Sequence, residues 1–453
     1  MARAGGIDQS VGYTALARAW SAAAGLGTLL CIAHFLTSAE QGFYYAFSSL
    51  IGLQVFFELG LTFVLLQFAS HEKARLNWLP DGTLDGEPNA RRRLGSLLRL
   101  ALKWYGVVSL LVLVAVLPIG SYFFLRQSAA APEVHWQAAW AGVVLMTAGS
   151  LFVSPAFAIM EGCGRVGEVA RMRTWQAILS NLALWICLAF GGGLFAVVCY
   201  AATNLILELT WVWLRYRRFF ADLLKQSGGQ VGVDWRREIW PFQWRIAVSW
   251  LSGYFMFQLF TPIAFALYGP KTAGQVGMSL SITAAISAIA IAWVTTKSAP
   301  FGSLIANREF GMLDSMFTRA FRQSMLVAVC GGMAVWLAAY ILRLGHFALA
   351  RRMLGPLPLG VLLLTAILNQ VVASEAIYLR AFKKEPFLGI SMMNGCLVVL
   401  SAYGLGKAYG PIGMMSGYFL VSLLGLVCGT WIFLDRRKSW RTSPLSDAHT
   451  GIA

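Results

Sequence analysis

Between Phe43 and Phe68 the chain stays apolar long enough to cross a lipid bilayer, and near the middle of that run stands one carboxylate, Glu58. A helical span needs roughly 20 such residues at ~1.5 Å each. No water reaches the bilayer core, so a run like this satisfies its backbone polar groups by folding as a helix. A carboxylate at that depth costs a few kcal/mol or more. It must therefore face a protein interior, a wet cavity or a cationic partner. Gln54 lies one turn earlier on the same face. Two readings stay open for Glu58: a protonated acid satisfied by a neighbouring helix, or an interior acid that loads and releases an ion.

Apolar runs of this kind recur about twelve times, at roughly 11–36, 42–69, 104–125, 136–160, 174–192, 194–214, 242–268, 275–298, 323–344, 357–379, 387–405 and 411–434. The chain of 453 residues is 58% hydrophobic and only 12% charged. A soluble domain is about a quarter charged, so the expected class is an all-α polytopic membrane protein. The tightest expected connection is Gly191-Gly192-Gly193. The seven Cys are scattered through apolar runs without metal-binding spacing and read as small core residues. The first ten residues carry one Arg and no cleavage-site pattern, so no removable signal peptide is expected.

The net charge of +16 is a topology signal rather than a nucleic-acid signal. With the N-terminus inside, about 26 of the 36 Lys and Arg fall in cytoplasmic segments, among them Arg91–Arg93, Arg215, Arg217, Arg218, Lys383, Lys384 and Arg436–Lys438. Both termini are therefore expected in the cytoplasm, with some attraction to anionic lipid. The two long basic connections, 70–103 and 215–241, contain segments 91–103 and 215–226 that suit amphipathic helices at the interface.

A faint repeat, A-E-Q-G at 39–42 and A-G-Q-V at 273–276, suggests two six-span halves of the same orientation. The expected organisation is an N-terminal lobe over 1–225, a cytoplasmic linker over 226–241, a C-terminal lobe over 242–434 and a tail over 435–453. Such halves commonly enclose a substrate path, which makes a transporter the leading class.

Span one carries a polar stripe at helical spacing, Ser10, Thr14, Arg18, Ser21, Gly25 and Thr28, which should face a bundle or water. Arg18 either faces that interior or snorkels to the cytoplasmic boundary. Span six carries Asn204 and Glu208; span ten carries Asn369, Gln370, Ser374 and Glu375. Span seven carries Gln243, Arg245, Tyr254 and Gln258, and span eight ends with Lys297. Arg18, Arg245 and Lys297 each suit a boundary residue, and together they suit an anion-receiving mouth. No Walker A, HExxH, GxSxG or His-rich cluster occurs, so neither an enzyme, a cofactor nor a metal site is expected. Without a nucleotide site, uphill transport must draw on an ion gradient or the membrane potential, and Glu58, Glu208 and Glu375 are the candidate proton or sodium groups.

Four stretches, FLTSAEQGFYYAFSSL (35–50), FFELGL (56–61), EGCGRVGEVARMR (161–173) and YLRAFKKEPF (378–387), resemble the multidrug/oligosaccharidyl-lipid/polysaccharide (MOP) exporter superfamily, specifically Wzx-type O-antigen and polysaccharide flippases. The resemblance implies a V-shaped pair of six-helix lobes in the bacterial inner membrane that alternates between inside-open and outside-open. It implies as cargo an undecaprenyl-pyrophosphate-linked oligosaccharide, moved from the cytoplasmic to the periplasmic leaflet, with a polysaccharide polymerase and a chain-length regulator as possible partners. Lipid II flippases, which have two more spans, keep an Arg on the first span facing the cavity, where Arg18 is similarly placed. Arg245 and Lys297 could supply a basic lumen, with Gln54 as a further substrate-binding residue; Tyr44, Tyr45 and Tyr254 could stack on the sugar or pack in the core. A pyrophosphate pairs well with Arg or Lys at short range. The alternative within the same superfamily is a proton- or sodium-coupled exporter of small organic cations, kept open by Glu58 and Glu208.

Overall fold

A computed structural model describes residues 20, 23–127, 129, 131–225, 233–240, 243–244, 258–382 and 386–442. Those up to Trp244, with Gly269–Gly274, form one compact unit; those from Gln258 to Tyr268 and from Gln275 onward form the other.

The first unit begins with α1 (Ala23–Phe35). Thr37 then starts α2 (Ser38–Glu58) by a reciprocal cap: its hydroxyl accepts from the Glu40 N–H at 3.2 Å, and its own N–H donates to the Glu40 carboxylate at 2.8 Å. After a tight 3-10 turn at Gly52–Gln54 the helix ends, and α3 (Leu61–Lys73) leaves at 47°. Leu59 (φ 51°) and Gly60 (φ 66°) make the break. Glycine adopts the left-handed region freely, while a leucine there costs roughly 1–2 kcal/mol. The second span is thus two half-helices rather than the continuous one expected, and the break falls directly after Glu58.

Four further helices complete this unit: α4 (Pro88–Gln127), α5 (Gln137–Gly162), α6 (Val166–Ala189) and α7 (Phe195–Lys225). Segments 91–103 and 215–226 are not separate interfacial helices. The first is continuous with α4, and the second runs on from α7 through a π turn (Val212–Tyr216) as far as Lys225. At one end of the unit an aromatic cluster packs α2, α4 and α5 together, with Phe47, Phe124 and Trp140 rings 5.1–5.3 Å apart. Gly162 lets α5 meet α3 backbone to backbone; a Cβ there would stand 2.6 Å from the Leu66 carbonyl oxygen. Gln41 donates to the Gly274 carbonyl at 2.9 Å, so the first four-residue repeat signature touches the second.

The opposite end carries the basic connections. Leu76–Trp78 pairs antiparallel with Leu84–Gly86 as a small hairpin, β1 and β2, turned at Asp81-Gly82. The Asp81 carboxylate accepts from the Thr83 N–H and hydroxyl, which holds it below the ordinary carboxyl range. Trp78 fastens the hairpin to the bundle by donating to the Cys163 carbonyl at 2.9 Å, with the Arg165 guanidinium 4.4 Å from its ring centre. Much of the positive charge here is paired. Arg91 reaches Asp222 at 3.0 Å, Arg93 reaches Glu72 at 2.7 Å and Glu238 at 2.5 Å, and Glu168 takes both Arg165 and Arg215.

The second unit contains α8 (Phe260–Tyr268), most of α9 (Pro270–Thr295), α10 (Ser298–Ala306), α11 (Phe310–Leu344), α12 (Pro356–Arg380) and a long run, α13 (Leu388–Thr442). That run reverses at Gly410 (φ 68°), followed by Pro411, so it supplies two spans. Its single-residue break, like the three-residue turn at 163–165, is tighter than the Gly191–Gly193 connection expected to be tightest. Aromatic residues Phe301, Phe317, Tyr378 and Phe433 close one end of the unit.

Among the described residues seven helices are long and apolar enough to cross a membrane, and α2 with α3 makes an eighth. With the second arm of α13, the 24-residue α6 and the shorter α1 and α8, the described helices fit the expected twelve. The chain is an all-α multi-pass membrane protein.

Candidate functional site

Three polar centres lie inside the helices, each built around one of the acids singled out in the sequence. The first is the break in the second span. Glu58 closes the last turn of α2, where unpaired helix carbonyls make the backbone electronegative. Thr62, in the first turn of α3, hydrogen-bonds the Glu58 carboxylate. Tyr105 of α4, fully buried, donates to the same oxygen at 3.1 Å and lies 2.6 Å from the Thr62 hydroxyl. Gln54 sits in the tight turn just before, and its buried Oε1 has no hydrogen-bond partner among the described residues. A carboxylate, half-helix carbonyls and a spare amide oxygen form an acceptor-rich spot at a discontinuous span, an arrangement suited to a small cation.

The second centre is a cavity of about 510 Å³ within the first unit, walled by α2, α5, α6 and α7. Glu208 from α7 reaches into it. Gln176 of α6 donates to Glu208 Oε1 at 2.7 Å, while the buried Oε2 has no hydrogen-bond partner among the described residues. Arg173, Thr147, Ser150, Tyr200 and Asn204 share the lining. Arg173 also pairs with Glu161 at 3.2 Å. Further hydrogen bonds follow along α6 in two separate sets. Ser180 donates to Asn204 at 2.8 Å, Thr28 of α1 donates to Asn181 at 3.3 Å, and Trp185 donates to Thr28 at 2.9 Å. The described part of the span-one stripe therefore turns inward at Thr28.

The third centre is in the second unit. Glu375 on α12 is buried, and the Thr430 hydroxyl on the second arm of α13 lies 3.0 and 3.3 Å from its two oxygens. On the same helix Gln370 donates to Ser324 of α11 at 2.8 Å, and Asn369 donates to the Tyr418 hydroxyl at 2.9 Å. These bonds make a buried polar seam through α11, α12 and α13. In a membrane such bonds average ~0.6 kcal/mol each.

Of the expected site residues, Glu58 and Gln54 meet at one break, Glu208 stands in a separate cavity of the same unit, and Glu375 belongs to the other unit. Lys297 is exposed at the joint between α9 and α10 and has no carboxylate partner among the described residues. Arg18, Arg245 and Tyr254 lie outside the described residues. Tyr45 is buried and meets Tyr44 edge to face at 5.2 Å. Among the described residues no three His, Cys, Asp or Glu side chains gather as metal ligands.

The sequence reading missed Tyr105, Thr62, Arg173, Gln176 and Thr430. Arg173, Gln176 and Ser180 repeat at helical spacing along α6, a stripe that could have been read. Tyr105 and Thr430 come from helices far along the chain, and nothing local marks them.

No protein-family model matches the chain, and no curated protein sequence matches it. Solved structures do match in fold. A multidrug resistance MATE family transporter of the MOP superfamily, in its inward-facing conformation, superposes with a TM-score of 0.61 over 93% of this chain and 100% of that one, at 14% identity. The lipid II flippase MurJ, in an inward closed conformation, gives 0.63 over 96% and 88% at 12% identity. A MATE in complex with MaL6 gives 0.56 over 95% and 96% at 15% identity. The chain has the fold shared by these transporters and flippases.

Proposed function

We propose that this protein is an ion-coupled flippase that moves an undecaprenyl-pyrophosphate-linked oligosaccharide from the cytoplasmic to the periplasmic leaflet of a bacterial inner membrane by alternating access. The observation that carries the reading is the Glu208 cavity. It joins an acid with one unclaimed oxygen to Arg173 and to neutral amide and hydroxyl groups, within a fold shared with MurJ and MATE transporters.

Glu208 would take up the coupling ion; the Arg173 guanidinium on the same wall would compete for the carboxylate whenever the ion leaves. Glu58, at the break of the second span, and Glu375, beside Thr430, are proposed as further coupling groups. Arg18, Arg245 and Lys297 are proposed to receive the pyrophosphate, with Gln54 and Tyr254 on the sugar. The basic connections would face the cytoplasm, where newly made lipid-linked sugar is loaded, and a polymerase with its chain-length regulator would take the product.

A second reading, a MATE-like exporter of small organic cations, is favoured by the unclaimed Glu208 oxygen and by the MATE neighbours. Against it, the three acids are each already hydrogen-bonded by neutral donors, and Arg173 shares the Glu208 cavity. Purified protein in vesicles decides between them: the proposal expects gradient-dependent movement of lipid-linked oligosaccharide and none of a fluorescent organic cation. The reverse pattern would establish the second reading.

A further inference from the structure

Of the basic residues on α4, two are held by carboxylates, and Arg99 and Lys103 are among those that are not. Arg91 and Arg93, at the outer end of the helix, are held by Asp222, Glu72 and Glu238. Arg99 and Lys103, two turns further in, have no carboxylate partner among the described residues. Among the described residues the Arg99 side chain makes one bond, a 3.4 Å contact from Nε to the Gly95 carbonyl, and both terminal nitrogens of its guanidinium have no partner. The two stand four residues apart and so share a face.

That face is a built site. Arg99 and Lys103 line a cavity of about 620 Å³ with Trp104, Trp235, Leu100 and Val107. The rings of Trp104 and Trp235 stack with centres 4.7 Å apart, and Ser96 tethers the Trp235 segment by accepting from the Val233 N–H at 3.2 Å. The Trp104 indole N–H is buried and has no acceptor among the described residues. Two unneutralised cations and one orphan donor around a single cavity call for an anion with several acceptor oxygens.

Depth says where that anion comes from. Lys103 and Arg126 bracket the apolar part of α4, and at ~1.5 Å per residue they stand about 35 Å apart, close to the hydrocarbon thickness of a bilayer. Lys103 therefore lies at headgroup level. Just inside it the helix presents exposed Val107, Leu110 and Val114, a surface for acyl chains. Indole rings are at home at that depth.

We propose that Arg99, Lys103 and the Trp104 indole form a binding site for the phosphate of an anionic phospholipid in the leaflet at the basic end of the protein. The two cations pair with the phosphate oxygens, Trp104 donates to one of them, and the chains descend along Val107 and Leu110. The site does not depend on the cargo assigned above.

The test uses the full-length protein in detergent, with bound lipid counted by native mass spectrometry during titration with phosphatidylglycerol or phosphatidylcholine. Wild type should retain phosphatidylglycerol in preference to phosphatidylcholine. Arg99→Gln with Lys103→Gln should weaken phosphatidylglycerol retention about thirtyfold, the change that two basic side chains near an anionic surface are worth, while phosphatidylcholine retention stays put. Trp104→Phe, which keeps an aromatic ring and removes the N–H, should weaken it several-fold. Arg99→Lys, which keeps the charge, should hold most of it. Equal retention by wild type and the double Gln variant would overturn the site. So would displacement of phosphatidylglycerol by millimolar glycerol 3-phosphate, which would mark a soluble-anion site instead.

Discussion

Replacing Gly60 by Ala gives a sign as well as a size. Gly60 has φ 66°, and its neighbour Leu59 has φ 51°, so two successive residues are left-handed at the break between α2 and α3. Placing an L side chain at Gly60 costs ~1–2 kcal/mol in that conformation. The unfolded chain also loses freedom when Gly becomes Ala, which returns ~0.4–1 kcal/mol. The net expectation is destabilisation by about 1 kcal/mol. In a large chain that lowers the melting temperature by roughly 2 °C, measurable by thermal unfolding of the purified protein in detergent. Were the second span a continuous helix, the sign would reverse, because Ala is better than Gly in a helix interior by ~0.8–1.0 kcal/mol. A variant that melts above wild type would therefore refute the broken span and, with it, the acceptor-rich spot at Glu58.

Two further outcomes can be read in the same melting assay. Gly162→Ala should destabilise by about 1–3 kcal/mol, because its Cβ would stand 2.6 Å from the Leu66 carbonyl oxygen, where backbone must move. Glu238 accepts from the Asp234 N–H and pairs with Arg93, which holds its carboxyl below the ordinary range. A lowered folded-state value contributes stability above the unfolded value and loses it as pH falls through the folded one. Glu238→Gln should accordingly melt lower than wild type at pH 7, with the gap closing as the pH is taken below the ordinary carboxylate value; a gap that widens in acid would contradict the pairing.

Hydropathy carried most of the fold. Apolar runs bounded by basic or glycine-rich connections marked the twelve spans, because in lipid only a helix satisfies such a run. The pattern says less about interruptions. FFELGL (56–61) shows its acid but no break, yet Leu59 and Gly60 turn left-handed within it. The hairpin at 76–86 had a readable signal in Pro80-Asp81-Gly82, overshadowed by the charge of the surrounding segment. Counting Lys and Arg treats each as a free charge; Arg91, Arg93, Arg165, Arg173 and Arg215 instead meet carboxylates that lie up to 145 positions away. That pairing is a product of tertiary contact and leaves no local trace. The acids were legible because a carboxylate in an apolar run is conspicuous. Their partners Tyr105, Gln176 and Thr430 were not, since a tyrosine, a glutamine or a threonine in such a run is ordinary.

The coupling role of Glu208 is tested most directly in sealed vesicles by following the appearance of lipid-linked oligosaccharide in the opposite leaflet under an imposed ion gradient. Glu208→Gln keeps the shape of the side chain, removes its charge, and should slow gradient-driven movement at least tenfold while the protein stays folded and inserted. Movement at the wild-type rate by that variant would contradict the account.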